Sequence, residues 1–317
     1  MTFQTSHAVS VLIIGDIPSS KPIDSQFNVV RFALNKPDYG IGPQNISKIR
    51  AIAAAGKQPI EAELIALLPN LEIIANFGVG YDRVDMKAAR AQGITITNTP
   101  DVLTEEVADL TLGLLIATVR RIPAADSFVR SGAWAQGQSF PLTASLRNRT
   151  IGIVGLGRIG AAVARRCAAM GLDVAYCARS EKTGHPYRYF DNAIALAEAV
   201  EVLIVTAPGG PETTGLIDAR VLAALGSNGI LINVSRGTVV HETALIESLK
   251  TGALLAAGLD VFEAEPKVPQ ELLDLENVVM LPHAGSATFE TRRSMADLVV
   301  ANLQSWFAGS GALNPVY

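Results

Sequence analysis

Short, mostly apolar runs alternate with longer Ala- and Leu-rich segments along nearly the whole chain. Such runs are typical of parallel β-strands that are buried on both faces of a sheet. Helical segments lie between them, for example at Glu61–Leu68 and Asp85–Gln92, and this alternation indicates an α/β fold with doubly wound parallel sheets. The runs that predict strands are Val9–Ile14, Asn28–Phe32, Ile49–Ala55, Glu72–Phe77, Ile94–Asn98, Thr150–Val154, Asp173–Ala178, Val202–Ala207, Gly229–Val234, Ala256–Val261 and Val278–Leu281.

The predicted strands fall into two series, which indicates two domains. The second series contains six strands, the number expected of a dinucleotide-binding sheet. A helix predicted at Ser286–Phe307 follows it, and about 30 residues are too few for a domain of their own. We therefore expect a discontinuous domain of residues 1–98 and 285–317, a second domain of residues 99–284, and a ligand-binding cleft between them. The apolar stripe of the last helix is predicted to contain Phe289, Met295, Leu298, Val299, Leu303 and Trp306.

The composition is apolar enough to raise the question of a membrane. Hydrophobic residues make up 49% and charged residues 18% of the chain, and the mean hydropathy is +0.30. The apolar run Leu110–Val119 falls well short of the roughly 20 residues that a spanning helix needs. We expect the apolar excess to lie in protein cores and subunit interfaces.

Charge and cysteine content argue against several other classes of protein. The net charge is −4 and the basic residues are dispersed, so no patch for nucleic acid is expected. Cys167 and Cys177 form no CxxC motif and are predicted to be buried thiols in a reducing cytoplasm. The N-terminus lacks the pattern of a signal peptide. A cytoplasmic protein without a metal site is therefore expected.

A glycine motif, Gly155-Leu156-Gly157-Arg158-Ile159-Gly160, directly follows a predicted strand and opens a helix. In such a motif the first glycine permits a tight turn, the second lets the backbone approach a pyrophosphate, and the third permits close helix–strand packing. The phosphates would lie at the helix N-terminus, where free N–H groups favour anions. The motif predicts a dinucleotide site; a plain glycine-rich turn and a methyltransferase are the alternatives.

The end of the next predicted strand bears on which dinucleotide is bound. An NAD site usually has Asp or Glu there, about 20 residues after the glycine motif, to bind the ribose 2′-OH. Ala178-Arg179-Ser180 stands in place of that acid. An Arg can neutralise a 2′-phosphate and a Ser can hydrogen-bond to it. We expect NADP(H) to be preferred, with NAD(H) used at lower efficiency; the alternative is an ordinary exposed Arg.

Three polar residues follow predicted strand ends, where ligands bind in open α/β sheets. His283 follows the last strand, and Arg236 is suited to bind a substrate carboxylate bidentately. Glu265, or equally Glu263, could fix the His283 tautomer and keep the imidazole protonated near neutral pH. A structural His, a turn Arg and a solvated Glu are the alternatives. The remaining histidines are His7, His185 and His241.

Several segments together resemble the D-isomer-specific 2-hydroxyacid dehydrogenases over nearly the whole chain. The resemblance implies a Rossmann nucleotide domain and a flavodoxin-like substrate domain. It also implies that Arg236, Glu265 and His283 form the catalytic set, which selects Glu265 over Glu263. The matching segments are Asn76–Asp82, Asn98–Thr104, Gly155–Gly160, Asn233–Gly237, Gly258–Pro266 and Leu281–His283.

Other segments are similar to the NADPH-dependent glyoxylate/hydroxypyruvate reductases of that family, a branch that includes hydroxyphenylpyruvate reductases. These segments are Thr97–Asp109, Arg179-Ser180, Glu290–Arg292 and Met295–Leu298. The resemblance implies reduction of glyoxylate, hydroxypyruvate or hydroxyphenylpyruvate to D-2-hydroxy acids. The alternatives are another 2-oxo acid, such as 2-ketogluconate, and a non-catalytic NAD(H)-sensing protein.

The resemblance also implies roles for residues outside the catalytic set. The substrate would be bound by Arg236, His283 and the backbone N–H groups around Val79 and Gly80, with Ala54 in a small, uncharged substrate loop. The implied cofactor-binding residues are Thr104, Gly155, Leu156, Gly157, Arg158, Ile159, Gly160, Ala178, Arg179, Ser180, Ala207, Pro208, Val234, Ser235, Arg236, Asp260 and His283.

The helix predicted at Thr104–Arg121 bears on the oligomeric state. We expect Thr104 to cap it and Pro123 to stop it. It is apolar around more of its circumference than one domain needs, and in the family that the chain resembles this helix lies in a dimer interface. A homodimer is therefore expected. Trp134 is expected either to reach the partner's active site or to pack at the interface.

Overall fold

A computed structural model describes residues 9–19, 23–33, 37–56 and 58–317, which form two compact units. The first unit takes in the chain up to Leu103 and again from Thr288 to Tyr317, and the second unit is Thr104–Ala287. The assignment of substrate to the first unit and of dinucleotide to the second stays a prediction. His7 lies outside the described residues.

The strands of the described residues are short, as the sequence predicts. They are β1 (Ser10–Ile14), β2 (Asn28–Arg31), β3 (Ile49–Ala54), β4 (Ile73–Asn76), β5 (Thr95–Thr97), β6 (Ile151–Val154), β7 (Val174–Cys177), β8 (Arg188–Phe190), β9 (Val202–Val205), β10 (Ile230–Asn233), β11 (Ala256–Leu259) and β12 (Val278–Met280).

The helices vary more in length than the strands do. They are α1 (Pro43–Ile46), α2 (Ala62–Leu67), α3 (Met86–Ala91), α4 (Thr104–Val119), α5 (Ile122–Arg130), α6 (Arg158–Ala169), α7 (Ala193–Glu198), α8 (Ala219–Leu225), α9 (Glu242–Lys250), α10 (Gln270–Leu273) and α11 (Phe289–Phe307), with short 3₁₀ turns at Ile23–Ser25, Pro37–Gly40 and Gly237–Val239.

The first unit is built on a five-stranded sheet with the order β2-β1-β3-β4-β5. All of its neighbouring strands are parallel. This is the flavodoxin-like order, as predicted. Apolar residues of α2 and α3 pack on one face of the sheet. On the other face, Ala296, Val299 and Leu303 of α11 pack against the strands, so the end of the chain completes this core.

The second unit contains a seven-stranded parallel sheet with the order β12-β11-β10-β9-β6-β7-β8. The chain runs outward from β6 on one side and then returns to run outward from β9 on the other, which is the Rossmann arrangement. Residues of α7, α8 and α9 cover one face, and residues of α4 and α6 cover the other. Ligands bind such sheets at the carboxyl ends of the strands, near the point where the order reverses.

The edge strand β8 is absent from the sequence prediction. Its sequence, Arg188-Tyr189-Phe190, lacks the continuous apolar run that predicts the other strands. Pairing with β7 in the folded sheet, rather than local apolarity, makes this segment a strand.

Three predictions about helix residues are wrong. Phe289 does not belong to the buried stripe of α11: as the first residue of that helix it is 92% exposed. Thr104 is the first helical residue of α4 and not the cap before it. The helix ends at Val119, and Pro123 lies in the first turn of α5, where proline is well tolerated.

The apolar helix α4 packs against α6 and β11 within its own unit. Leu114 and Leu115 are buried, whereas Leu110, Leu112 and Ile116 are half-buried. Much of the apolar surface that seemed to require a partner is therefore covered inside the unit. Among the described residues, no helix is long and apolar enough to cross a membrane.

Both cysteines are buried and form no disulfide. Burial raises the pKa of the Cys167 thiol to about 12 and also raises the pKa of Cys177. The prediction of buried thiols is confirmed.

Candidate active site

The glycine turn after β6 is held in place by close backbone contacts. Gly155 has a φ of +97°, and a Cβ there would lie 2.7 Å from the backbone nitrogen of Ala207. A Cβ at Gly160 would overlap the Gly155 carbonyl oxygen. The Oγ1 hydroxyl of Thr206 donates to that same carbonyl at 2.7 Å. These contacts require glycine at both positions and set where α6 begins.

Gly157 differs from its two neighbours because the space in front of it is open. Its φ is −85°, which any residue adopts, and no protein atom lies within 4 Å of the place that a Cβ would take. The residue immediately precedes α6, whose first N–H groups point out of the helix end. The turn therefore fits a phosphate group brought against its backbone, as a dinucleotide cofactor requires.

The end of β7 is followed by Arg179 and Ser180, where an NAD site usually has an acidic residue. The Arg179 side chain is 90% exposed, and its Nη1 lies 3.9 Å from Glu212 Oε2. Ser180 is also exposed. On the other side of the glycine turn, Ala207 is buried and Pro208 is exposed. A guanidinium this accessible is suited to bind a phosphate group.

The turn that presents Arg236 is fixed by Asn233, the last residue of β10. Asn233 Oδ1 accepts hydrogen bonds from the N–H and Oγ of Ser235, at 3.1 and 2.9 Å, and its Nδ2 donates to the Arg236 carbonyl at 3.0 Å. A Cβ at Gly237 would overlap the backbone of Phe262. The Arg236 turn thus lies directly against the segment that follows β11. Val234 precedes this turn and is half-buried.

The side chains of His283 and Glu265, which follow β12 and β11, are within hydrogen-bond distance of each other. His283 Nδ1 lies 3.0 Å from Glu265 Oε2, and Glu265 Oε1 accepts the N–H of Phe262 at 3.2 Å. The Glu265 side chain is 7% exposed and that of His283 is 38% exposed. An ionised carboxylate only accepts hydrogen bonds, so beside an ionised Glu265 the Nδ1 atom would carry a proton and Nε2 would be left for another partner.

Asp260 holds the backbone around His283. The N–H of His283 donates to the Asp260 carbonyl at 2.8 Å, and the carboxylate accepts the N–H groups of Ala284 and Gly285 at 2.6 and 2.9 Å. Burial raises the pKa of Asp260, and the two N–H groups oppose that rise. The predicted contact of Asp260 with a nicotinamide carboxamide stays a prediction.

Arg236, Glu265 and His283 thus follow three strands, β10, β11 and β12, that are neighbours in one sheet. Sequence reasoning missed Asn233 and Thr206, which shape the site without a chemical role of their own. An Asn side chain often bonds to the backbone two residues further on in a turn, and this habit could have pointed to Asn233. The Thr206 contact depends on strand pairing and has no local signal.

The predicted substrate residues Ala54, Val79 and Gly80 belong to the first unit, where Ala54 ends β3 and is buried. Asn76 Nδ2 donates to the carbonyls of Gly78 and Gly80 at 3.1 and 3.0 Å, and an Asn98 amide donates to the Val79 carbonyl at 2.9 Å. Within the described residues, the N–H groups of Val79 and Gly80 have no protein acceptor. Their assignment to the substrate stays a prediction.

The alternative acid–base candidates lie elsewhere. Glu263 is exposed, and its N–H donates to Glu242 Oε2 at 3.2 Å. His241 caps α9, and His185 is exposed and stacks on Tyr187.

Trp134, which was predicted to lie at a subunit interface or in the partner's active site, is 66% exposed. In the part of the chain that the structure describes, no three His, Cys, Asp or Glu residues are grouped for a metal ion.

The remaining predicted cofactor residues are distributed around these turns. Leu156 is buried, Arg158 is exposed, Ile159 and Ala178 are half-buried, and Thr104 is buried at the start of α4. All of them belong to the second unit.

Comparisons with known proteins cover nearly the whole chain. Residues 112–285 match the family model described as D-isomer specific 2-hydroxyacid dehydrogenase, NAD binding domain. Glyoxylate/hydroxypyruvate reductase A of Arabidopsis thaliana is 45% identical over 294 residues, which are 93% of this chain and 94% of that protein. Hydroxyphenylpyruvate reductase of Plectranthus scutellarioides is 44% identical over 311 residues, which are 98% and 99% of the two chains.

A solved structure gives the same likeness in three dimensions. The NADPH-dependent glyoxylate/hydroxypyruvate reductase of Sinorhizobium meliloti, in complex with NADP and malonate, superposes with a TM-score of 0.92 and 45% sequence identity. The superposition covers 98% of this chain and 97% of that one.

Proposed function

Because the chain belongs to the D-isomer-specific 2-hydroxyacid dehydrogenase family, we propose that it reduces small 2-oxo acids to D-2-hydroxy acids with NADPH. Glyoxylate and hydroxypyruvate are the proposed substrates, because two relatives of 45% identity are named as reductases of these acids. The observation that carries the proposal is the His283–Glu265 pair, 3.0 Å apart, at strand ends adjoining the Arg236 turn. Reduction of a 2-oxo acid needs a proton donor and a cation of this kind.

The chemistry of these residues supports a simple division of roles. A bound nicotinamide cofactor supplies the hydride. Arg236 binds the substrate carboxylate through its guanidinium and turns the keto carbon toward the hydride. His283 donates the proton on Nε2 to the keto oxygen and keeps the proton on Nδ1. Glu265 stabilises the imidazolium before that transfer and fixes the ring orientation throughout.

The preference for NADPH over NADH rests on the end of β7. The exposed Arg179 and Ser180 occupy the place where a carboxylate would bind a ribose 2′-OH. Arg179 offers charge-assisted hydrogen bonds to a 2′-phosphate. The NADP complex of the Sinorhizobium meliloti enzyme supports the same preference here.

We also propose a homodimer in the cytoplasm. No residue of α5 is buried, and this helix exposes 48% of Ile122 and 53% of Val129. Trp134 and Leu142, in the segment that follows, are 66% and 100% exposed. Four large apolar side chains exposed within one stretch of the chain supply apolar surface of the kind that an interface between subunits covers. The two buried free thiols fit a reducing compartment.

A substrate panel tests the proposed activity. NADPH oxidation would be followed with glyoxylate, hydroxypyruvate, hydroxyphenylpyruvate, 2-ketogluconate and pyruvate. We expect kcat/KM for glyoxylate and hydroxypyruvate to exceed that for pyruvate by at least tenfold. The similarity to a hydroxyphenylpyruvate reductase and the small side chains of Ala53–Gly56 make the aromatic acid an informative member of the panel. Binding of NADPH without turnover of any acid would instead favour a cofactor-sensing protein.

A further inference from the structure

Two tyrosines lie beneath the exposed loop that carries Arg179 and Ser180. Tyr176 in β7 and Tyr189 in β8 are register partners on neighbouring parallel strands. Their ring centroids are 5.4 Å apart with an angle of 50° between the planes. Both rings belong to the core beneath the sheet face that α6 covers. The loop between them therefore starts and ends on one aromatic pair.

The hydroxyl of Tyr176 ties down the far side of this loop. The Tyr176 side chain is almost fully buried, with 1% exposure. Its hydroxyl accepts the N–H of Lys182 at 2.7 Å and lies 3.4 Å from the Lys182 carbonyl, to which it can donate. A hydroxyl carried by the core thus reaches the backbone six residues further along.

The hydroxyl of Tyr189 ties down the near side. It donates to the carbonyl of Ala178 at 3.3 Å, and Ala178 directly precedes Arg179. The two tyrosines together hold the backbone on both sides of Arg179-Ser180-Glu181. The exposed guanidinium of Arg179 is itself only 3.9 Å from the exposed Glu212 carboxylate, and such an exposed pair contributes little to order.

We propose that Tyr176 and Tyr189 are positioning residues for the ribose 2′-phosphate, fixing the loop so that Arg179 and Ser180 are already placed when NADPH arrives. This inference rests on the proposed preference for NADPH. In this role the two tyrosines act through the loop backbone and need no contact with the ligand. Ordering a loop before binding removes an entropy cost that binding would otherwise include. Because Arg179 and Ser180 are proposed to contact the 2′-phosphate, we expect the gain in affinity to appear only for nucleotides that carry this group.

The test compares two nucleotides that differ only in the 2′-phosphate, 2′,5′-ADP and 5′-AMP. Dissociation constants would be measured by calorimetry for the wild type, Tyr176→Phe, Tyr189→Phe and Arg179→Ala. Tyr187→Phe, in the same segment, is the matched control. Phenylalanine keeps the aromatic packing and removes only the hydroxyl, and a melting temperature for each variant reports on folding.

We expect each of the variants Tyr176→Phe and Tyr189→Phe to raise the Kd for 2′,5′-ADP about three- to tenfold, the effect of one or two hydrogen bonds. The Kd for 5′-AMP should stay within twofold, and Tyr187→Phe should resemble the wild type. Equal losses for both nucleotides, or no loss for either, would overturn the inference. If Tyr176→Phe lowers the melting temperature, the result for Tyr189→Phe tests the inference. Tyr189 belongs to the edge strand β8, so we expect loss of its hydroxyl to affect folding less.

Comparison of the wild type with Arg179→Ala and the two tyrosine variants tests this inference separately from the proposed cofactor preference. A wild type that binds both nucleotides equally well, with Arg179→Ala unchanged, contradicts the preference for NADPH and with it the inference. A wild type that prefers 2′,5′-ADP and loses the preference in Arg179→Ala, while both tyrosine variants keep it, contradicts the inference alone.

Discussion

His283 has a φ of +58°, a backbone conformation that residues other than glycine rarely adopt. Asp260 maintains it by accepting the N–H groups of residues on both sides of the His283 carbonyl. Strained residues of this kind concentrate where a side chain must be aimed. Here the strained turn is part of the segment that brings Nδ1 of the imidazole to Glu265, and in the proposed mechanism Nε2 is then left for the substrate.

His283→Gln tests the proposed proton donor. We expect kcat for glyoxylate reduction to fall about 10²–10⁴-fold, the usual contribution of general acid catalysis. The Kd for NADPH, measured by nicotinamide fluorescence, should stay within about threefold. His241→Gln is the matched control: His241 caps α9 and is not part of the proposed catalytic set, so its kcat should match the wild type. Near-normal turnover in His283→Gln would refute the role given to this residue.

Position along the chain made Arg236 and His283 candidates, because each lies three residues after the end of a strand in a parallel sheet. The chemistry of the residues did not separate Glu265 from Glu263, which follow the same strand two positions apart. The turn at Phe262, whose N–H bonds to Glu265, brings that carboxylate to His283. Contacts such as those of Asn233 and the two loop tyrosines depend on which backbone groups the fold brings near, and no local pattern encodes them.

At the scale of elements, every strand of the described residues except the edge strand β8 could be predicted. Each central strand is a run of apolar residues with both faces covered, such as β9 and β10, whose residues are all buried. β8 has one covered neighbour and mixed side chains, so its identity depends on pairing with β7. The break between α4 and α5 was expected at Pro123, but Arg121, with a φ of +48°, makes the turn.

The turn between β6 and α6 yields a prediction from two glycines of different kinds. Gly157→Ala places a methyl group in open space, so the free energy of unfolding should change by less than about 1 kcal/mol. The same methyl group occupies the space expected for the cofactor pyrophosphate, so the Kd for NADPH should rise at least tenfold. Gly160→Ala meets the Gly155 carbonyl and should destabilise the fold by about 1–3 kcal/mol.

Chemical denaturation without cofactor and NADPH titration measure these two effects separately. Unchanged NADPH affinity in Gly157→Ala would show that the phosphates do not lie on this turn. A stable Gly160→Ala protein would show that the close helix–strand approach is not required.

At the scale of the whole molecule, the many apolar residues of the chain fall into two groups, one buried in the cores of the two sheets and one exposed. Two parallel sheets with helices on both faces account for the buried strands and for much of α4. The exposed apolar residues of α5 and of the segment after it are not covered by either core. The sequence located the apolar helix but not the surface that remains open, because burial of α4 against α6 and β11 is a property of the folded unit.

The proposed homodimer predicts a mass of about twice the 33.4 kDa of one chain in sedimentation equilibrium. Val129→Asp places a charge on the exposed apolar side of α5 and should raise the dimer dissociation constant at least tenfold, because burying an unpaired charge is costly. Leu273→Asp, at another exposed apolar position in α10, is the control and should leave the assembly intact. A wild type that is monomeric at micromolar concentration would contradict the proposal.

The product of hydroxypyruvate reduction tests the account most directly, because it reports activity, cofactor and stereochemistry together. The wild type would be supplied with hydroxypyruvate and NADPH, and the glycerate formed would be resolved into its enantiomers; a parallel reaction would contain NADH. We predict D-glycerate alone, with kcat/KM at least tenfold higher for NADPH than for NADH. Formation of L-glycerate or a racemate, or no consumption of NADPH, would contradict the account.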